Sequence, residues 1–246
     1  MVKEIPLEIE IKLLDQFIIG SGNPSVKGAD IALSYYLDHR GRRLLPTSTF
    51  KGILRKACNR VVKLVDSNWK PCYEIEPGRI KSMCIGSGYE WLESFGIPGY
   101  TEHIWNSLIF DELEIRSPHE IYTYTHTSIS LSTQTVKPGA LYTVEYLPPY
   151  TCLKAKLRLL VKERDNEKIG LDKSKVIKYL KLILLAIMES PVIGIGRNSK
   201  PFEIKIVNTK EIKAEIEKIG LKLDKDIEDL LNVLSKPYSP FINSRG

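Results

Sequence analysis

The 246-residue sequence predicts an α+β fold, a mostly antiparallel sheet covered by two helices. Three observations lead there. Segments 5–19, 107–116, 152–163 and 202–207 alternate apolar and polar residues, the period of two of a half-buried strand. Segment 48–65 repeats its apolar residues with helical period, and 174–189 is apolar nearly all round in its C-terminal half. The resulting order is strand, helix, two strands, helix, strand. That is the βαββαβ plan of ferredoxin-like and RRM-like cores, with insertions after the first helix and between the middle strands.

Each element has its own justification. IPLEIEIKLLDQFII (5–19) is the first strand, and a glycine-rich loop, GSGNPSVKGAD, runs to Asp30. Residues 31–37 fit either a short strand or a short helix, and DHRGRR (38–43) has turn composition. Pro46 then interrupts the chain, and Thr47 or Ser48 is placed to cap the helix that follows. At 100° per residue, Phe50, Ile53, Leu54, Ala57, Val61 and Leu64 share an arc of roughly 100°, the width of a core-facing stripe. Lys51 and Arg55 share another side. Residues 66–100 are irregular. SLIFDELEIR (107–116) is the second strand. Residues 120–147, rich in Thr, Ser and Tyr, predict a long polar hairpin turning near Lys137-Pro138-Gly139. CLKAKLRLLVKE (152–163) is the third strand, Pro191 ends the second helix, and FEIKIV is the last strand. Two short helices, EIKAEIEKIG and KDIEDLLNVL, close the fold.

Composition narrows the class. With 43% hydrophobic and 27% charged residues, the chain is neither disordered, collagenous nor coiled-coil. No run of about 18 apolar residues is present, so no membrane span is expected. The alternating start lacks a signal-peptide pattern, and a cytoplasmic location is expected. Four cysteines do not make a disulfide framework. The charge is uneven. Arg40, Arg42, Arg43, Lys51, Arg55, Lys56, Arg60 and Lys63 stand in 24 residues without an acid. Those eight charges exceed the chain total of +6, so everything else sums to −2. An unneutralised segment of this kind points to a polyanion partner.

Several constellations could carry chemistry. In GIGRNSK (194–200) the helix precedes the loop and the strand follows, the reverse of nucleotide-binding loops, which excludes a Rossmann or Walker site. Two readings remain for it. Gly194 is a helix C-cap and Gly196 a turn residue, or Arg197, Asn198 and Lys200 press on a nucleic-acid backbone. In LLPTSTFKGILRKACNR (44–60), Ser48 and Thr49 with Lys51, Gly52 and Arg55 can bind successive phosphates. Gly52 costs a helix interior roughly 1 kcal/mol, so another element packs closely there or a ligand approaches. Cys58, Cys72, Cys84 and His103 form a Cys3His set for a zinc ion, although no close C-x-x-C pair is present. Cys58 also fits the core, as does Cys152. In the hairpin, His126, Ser128 and Ser130 read as catalytic groups or as a polar, solvent-facing arm.

These segments together resemble the repeat-associated mysterious protein (RAMP) superfamily of CRISPR systems. Its I-P-G-S-S-x-K-G-x-x-R motif is similar to Leu45-Pro46-Thr47-Ser48-Thr49-Phe50-Lys51-Gly52-Ile53-Leu54-Arg55. Its glycine-rich loop after the second helix matches Ile193 to Lys200. ALYTVEYLPPYTCLKAKL resembles its G-x-x-Y-x-x-E-x-V-P strand at Tyr142, Glu145 and Pro148. SFG…SLIFDELEI resembles its L-F-G…S-x-L-x-F-x-D segment at Phe95, Gly96, Ser107 and Asp111.

The resemblance is nearest to the repeated backbone subunit of type III effector complexes. It implies one RAMP domain over 1–246: an RRM-like core, a lid at about 66–106, a thumb hairpin at 117–150 and a helical extension at 208–246. It implies crRNA and target RNA as ligands, and other RAMP subunits and a large polymerase-like subunit as partners. Ser48, Thr49, Lys51, Arg55, Gly194, Gly196, Arg197, Asn198 and Lys200 would grip RNA, while base pairing reads sequence. In the family an Asp in the loop after the first strand is implicated in target cleavage, here Asp30 within Gly28-Ala29-Asp30. A divalent metal such as Mg2+, held partly by that carboxylate, would stabilise charge as a 2′-OH attacks the scissile phosphate. The family's D-x-P-V after this loop is replaced by Ile31-Ala32-Leu33, and its I-D-R is missing from the hairpin. A non-cleaving subunit of the same complex is therefore the first alternative. The second is a metal-independent endoribonuclease that processes the CRISPR transcript with His39 or His126 as base. Some relatives carry zinc in the lid.

Overall fold

The structure is a computed structural model that describes residues 2–20, 30–74, 76–95, 107–117, 120–127, 129–130, 132–136, 141–163 and 170–241. Four long strands build the sheet: β1 (Val2–Leu13), β4 (Leu108–Ser117), β7 (Cys152–Lys162) and β8 (Phe202–Ile206). Two short strands, β2 (Tyr36–Leu37) and β3 (Arg43–Leu44), extend one edge, giving the order β2-β3-β4-β7-β1-β8. β1 pairs antiparallel with both β7 and β8, and β4 pairs antiparallel with β7. This is the ferredoxin-like arrangement, an antiparallel sheet with helices on one face. β5 (Tyr122–His126) and β6 (Tyr142–Tyr146) form a separate hairpin between the middle strands.

Alternation decides which face is buried. Ile5, Leu7, Ile9, Ile11 and Leu13 of β1 are buried against α1 (Thr47–Val65) and α3 (Lys173–Ile193). The opposite face is a lattice of charge. Lys154 meets Glu8 at 2.6 Å, Lys156 meets Glu112 at 2.7 Å, and Arg158 bridges Glu4 and Asp111 at 2.8 and 2.7 Å. The central strands β1 and β7 carry no aromatic residue, so this face offers no base-stacking surface of the RRM kind.

Some local expectations are corrected. β1 ends at Leu13 rather than running to residue 19. Residues 31–37 are extended, with bridges at Ile31 and Leu33 leading into β2. Pro46 takes the N-cap position of α1, and neither Thr47 nor Ser48 caps it with a side chain. Val62 rather than Leu64 turns inward in the last turn of α1, and Leu64 is 71% exposed. α3 runs through Pro191 to Ile193. A proline removes the N–H that would reach the carbonyl four residues back. Ser190 supplies the missing donor, its Oγ donating to the Ile187 carbonyl at 2.7 Å. The hairpin reverses across 130–135, where Ser130 N donates to Thr135 O and Gln134 N to Ser130 O. Residues 137–139 and Ser128 lie outside the described residues.

The stretch after α1 carries a short helix, α2 (Pro77–Met83), and a 3-10 turn at Glu90–Ser94. It is anchored by aromatic residues. Trp69 packs edge-on against Tyr179 of α3 at 5.3 Å, with the Lys178 ammonium 4.3 Å from its ring centre. Trp91 Nε1 donates to Lys70 O, and Tyr179 Oη to Glu90 O. α4 (Thr209–Lys218) packs beside β1, and α5 (Lys225–Leu234) packs against α3 and β8. Beyond them Tyr238 pairs with Ile204 and covers the β8 edge. No helix among the described residues is long and apolar enough to cross a membrane.

Cys72 and Cys84 are joined in a disulfide. Their sulfurs are not thiolates in this state, and zinc binding needs thiolates. Cys58 is fully buried, and burial pushes its thiol far above the usual range. His103 lies outside the described residues, and no group of three His, Cys, Asp or Glu side chains among the described residues is placed to hold a metal. Of the expected zinc set, Cys72 and Cys84 are thus taken up by the disulfide in this state. The cross-link spans 12 positions, and closing a ring of that size stabilises by about 3 kcal/mol. Reduction, or Cys72→Ser with Cys84→Ser, is expected to lower Tm by roughly 6–12 °C. Calorimetry with and without reductant measures it, and an unchanged Tm rejects the cross-link.

Candidate RNA-binding cleft

Three segments far apart in sequence meet where β1 ends. The chain leaves β1 through Phe17, whose N–H and carbonyl both pair with Leu147 after the hairpin. The next residues, Ile18 to Gly20, pass beside the start of α1 and the loop after α3. Arg197 N donates to Ile18 O at 2.9 Å, fastening the glycine loop there. A cleft of about 480 Å3 opens between these segments, lined by Ile18–Gly20, Thr49, Gly52, Ile53, Lys56, Ile193, Gly194, Gly196, Arg197 and Ser199.

The glycines differ in kind. Gly194 has φ +76° and caps α3, and a Cβ there would stand 2.2 Å from the Ser199 carbonyl oxygen. Gly196 has φ +68°, with a Cβ 2.7 Å from the Phe17 ring. Both are required by backbone conformation and close packing. Gly52 is the opposite case: a Cβ there meets nothing within 4 Å, so the tolerance for glycine is not explained by an intramolecular neighbour. Its helix face opens into the cleft.

The cations sort themselves by partner. Arg42 is held by Asp38, Glu112 and Glu114 at 2.7, 3.0 and 3.4 Å, and Arg60 by Glu189. Among the described residues no carboxylate ion-pairs with Lys51, Arg55 or Lys56. Burial, and then the neighbouring Arg55 charge, pull the Lys51 ammonium below its usual range, and burial does the same to Arg55. Two half-buried like charges side by side favour an anion between them. Arg55 also donates to the Glu74 carbonyl at 3.4 Å. Ser48, Lys51 and Arg55 thus form one stripe of α1, and Thr49, Gly52 and Lys56 the next, facing the cleft. Of the expected loop contacts, Arg197 is exposed on the cleft wall. Lys200 turns to Asp15 at 2.7 Å, and that ammonium holds the Asp15 carboxyl below its usual range. Asn198, at φ +66°, is exposed beyond the wall. Lys56 belongs to the basic run but to no motif; its helical spacing from Thr49 and Gly52 is the signal that would have singled it out.

Asp30 sits apart, at the base of the hairpin. Its Oδ2 accepts from Thr143 N at 2.6 Å and from Thr143 Oγ1 at 3.2 Å, and its own N–H donates to Thr143 Oγ1. Ile31 bridges Val144, and the buried Glu145 carboxylate accepts from Leu33 N at 2.9 Å. Glu145, a motif position, thereby fixes the strand that carries Asp30. Cys152 is half-buried on the charged face of the sheet rather than in the core.

Comparison with known proteins agrees with this architecture. A chain of a solved structure described as "Type IV-B CRISPR Complex" superposes with a TM-score of 0.51 at 13% identity, over 83% of this chain and 91% of that one. No curated protein sequence matches. The profile of the RAMP superfamily matches residues 10–200, a span from β1 through α1 and the hairpin to the glycine loop, and the chain belongs to that superfamily.

Proposed function

We propose that the chain is a backbone subunit of a CRISPR effector complex of type III, gripping guide RNA along the cleft. The observation that carries this is the pair of cationic stripes on α1. Among the described residues Lys51, Arg55 and Lys56 have no carboxylate partner, and Gly52 leaves the backbone between them open. Phosphates of a single strand are the anions that match a run of such cations. Stacked copies, other RAMP subunits, a large polymerase-like subunit and the target RNA are the partners this reading brings with it.

Cleavage of the target is assigned to Asp30. Its carboxylate is exposed and oriented by Thr143, and among the described residues it belongs to no group of three His, Cys, Asp or Glu side chains placed to hold a metal. It suits a divalent metal only if RNA oxygens complete the coordination; such a metal would stabilise charge on the attacked phosphate. A second reading, a subunit that binds without cutting, rests on the same bonds. Pinning the hairpin to the loop through Thr143 is a sufficient structural role for Asp30.

One experiment separates them. The complex is assembled on guide RNA and given labelled target. Asp30→Ala is expected to keep the guide bound and to remove the cut beside each copy of this subunit. Cuts that persist at the same positions remove Asp30 from catalysis. A complex that holds no guide through this subunit overturns the RNA-binding reading itself.

A further inference from the structure

Arg42, Arg60 and Arg55 are held in different ways. The first two are fixed by carboxylates, which also neutralise them. Among the described residues Arg55 ion-pairs with no carboxylate. Its Nη2 instead donates to the Glu74 carbonyl at 3.4 Å and stands 3.9 Å from Cys72 Sγ. A carbonyl fixes a guanidinium without cancelling its charge. A guanidinium has five N–H donors, so others stay available to a phosphate. What places the Glu74 carbonyl is the ring closed by Cys72 and Cys84. The Cys72 end is tied to α1: its N–H donates to Oδ1 of the buried Asn59 at 2.5 Å, and Asn59 is one turn along the helix from Arg55. The Cys84 end closes α2, where its N–H donates to the carbonyl of Ile80, a core residue. Between Cys72 and Ile80 no described residue is buried, and Tyr73 is 73% exposed. Packing therefore does not hold Glu74 in place; the covalent link between its two flanks does.

We infer that Cys72 and Cys84 are positioning residues for RNA binding: their disulfide holds the Glu74 carbonyl against the Arg55 guanidinium and so keeps that cation ordered for a phosphate. The inference rests on the reading that α1 grips RNA phosphates. Ordering a long side chain on binding costs affinity, and a side chain ordered beforehand avoids that cost. The ring also keeps Arg55 half-buried, where its charge is screened less by water. Reduction by a dithiol opens the ring. The reagent's thiolate displaces one cysteine sulfur, and its second thiol cleaves the mixed disulfide. The two hydrogens of the reagent end on Cys72 and Cys84, and the reagent leaves as a cyclic disulfide. Arg55 then keeps its charge, while the constraint on its carbonyl partner is gone.

The test is a thermodynamic cycle on the full chain. Wild type and Arg55→Gln are each titrated with an unstructured single-stranded RNA oligomer by fluorescence anisotropy, disulfide-bonded and dithiol-reduced, at a temperature where circular dichroism shows every sample folded. Reduction is expected to weaken the wild type about three- to tenfold, and reoxidation to restore it. Cys72→Ser with Cys84→Ser is expected to reproduce the reduced wild type without any reagent. Arg55→Gln is expected to bind equally in both redox states. A disulfide that only stabilised the fold would move both proteins alike, so an equal loss in Arg55→Gln overturns the positioning role. An unchanged affinity of the reduced wild type overturns it as well. A wild type that binds no RNA, or a disulfide-bonded Arg55→Gln with wild-type affinity, overturns the reading of α1 as the phosphate grip instead.

Discussion

Replacing Gly194 by alanine is expected to unfold the loop after α3 and destabilise the chain by about 3 kcal/mol or more. The added Cβ would lie 2.2 Å from the Ser199 carbonyl oxygen, 2.3 Å from its carbon and 2.8 Å from its Cα. These are backbone atoms of the tight turn closed by the paired bonds between Ile195 and Lys200, so no side-chain rotation relieves the clash. The positive φ adds strain of its own. For a chain of this size the loss corresponds to a Tm decrease of roughly 6–12 °C. Gly52→Ala is the informative control. Nothing stands within 4 Å of the new methyl, and the position is inside a helix. It is expected to stabilise by about 0.5–1 kcal/mol while filling part of the cleft. Thermal melts of the two variants should move in opposite directions. A Gly194→Ala protein with the wild-type Tm would reject the geometry of the turn.

That contrast shows how much the sequence could disclose. The glycine loop admits a C-cap reading and an RNA-contact reading: Gly194 and Gly196 meet the first by conformation, and Arg197 lines the cleft where the second would place a phosphate. Periodicity was sufficient for the sheet and its two helices, because β1 and the first eight residues of β7 alternate and α1 buries one face. It failed where a single bond outside the repeating pattern decides the matter. Pro191 does not end α3, because Ser190 bonds the stranded carbonyl. Cys72 meets Cys84 because the chain after α1 folds back around Trp69 and Trp91, which spacing alone does not reveal. Asp30 is positioned by Thr143, 113 residues away, and nothing near Asp30 in sequence announces that partner. Charge behaved in between. The basic run contains the cations that stand beside the cleft, but only the fold distinguishes Arg42 and Arg60, paired to carboxylates, from Lys51, Arg55 and Lys56.

Removing the cations at the cleft, Arg197 included, should therefore change how affinity depends on salt, and not only affinity. For single-stranded nucleic acid each neutralised phosphate contributes about −0.7 to the slope of log K against log salt. Lys51→Gln, Arg55→Gln, Lys56→Gln and Arg197→Gln together are expected to flatten the slope by about 3. Between 50 and 200 mM salt the wild type would then lose roughly 50-fold more affinity than the variant. Glutamine keeps the length and polarity of each side chain, which limits damage at half-buried Lys51 and Arg55. Arg42→Gln is the matching negative case for the slope. Its guanidinium already satisfies three carboxylates, so its loss costs stability and leaves the slope unchanged. The charged face of the sheet gives a second: Lys205, paired to Glu10 at 2.8 Å, should likewise contribute nothing. A slope that stays at the wild-type value in the fourfold variant places the phosphates elsewhere. A slope that falls equally with Lys205→Gln shows that RNA is held by net charge rather than by the cleft.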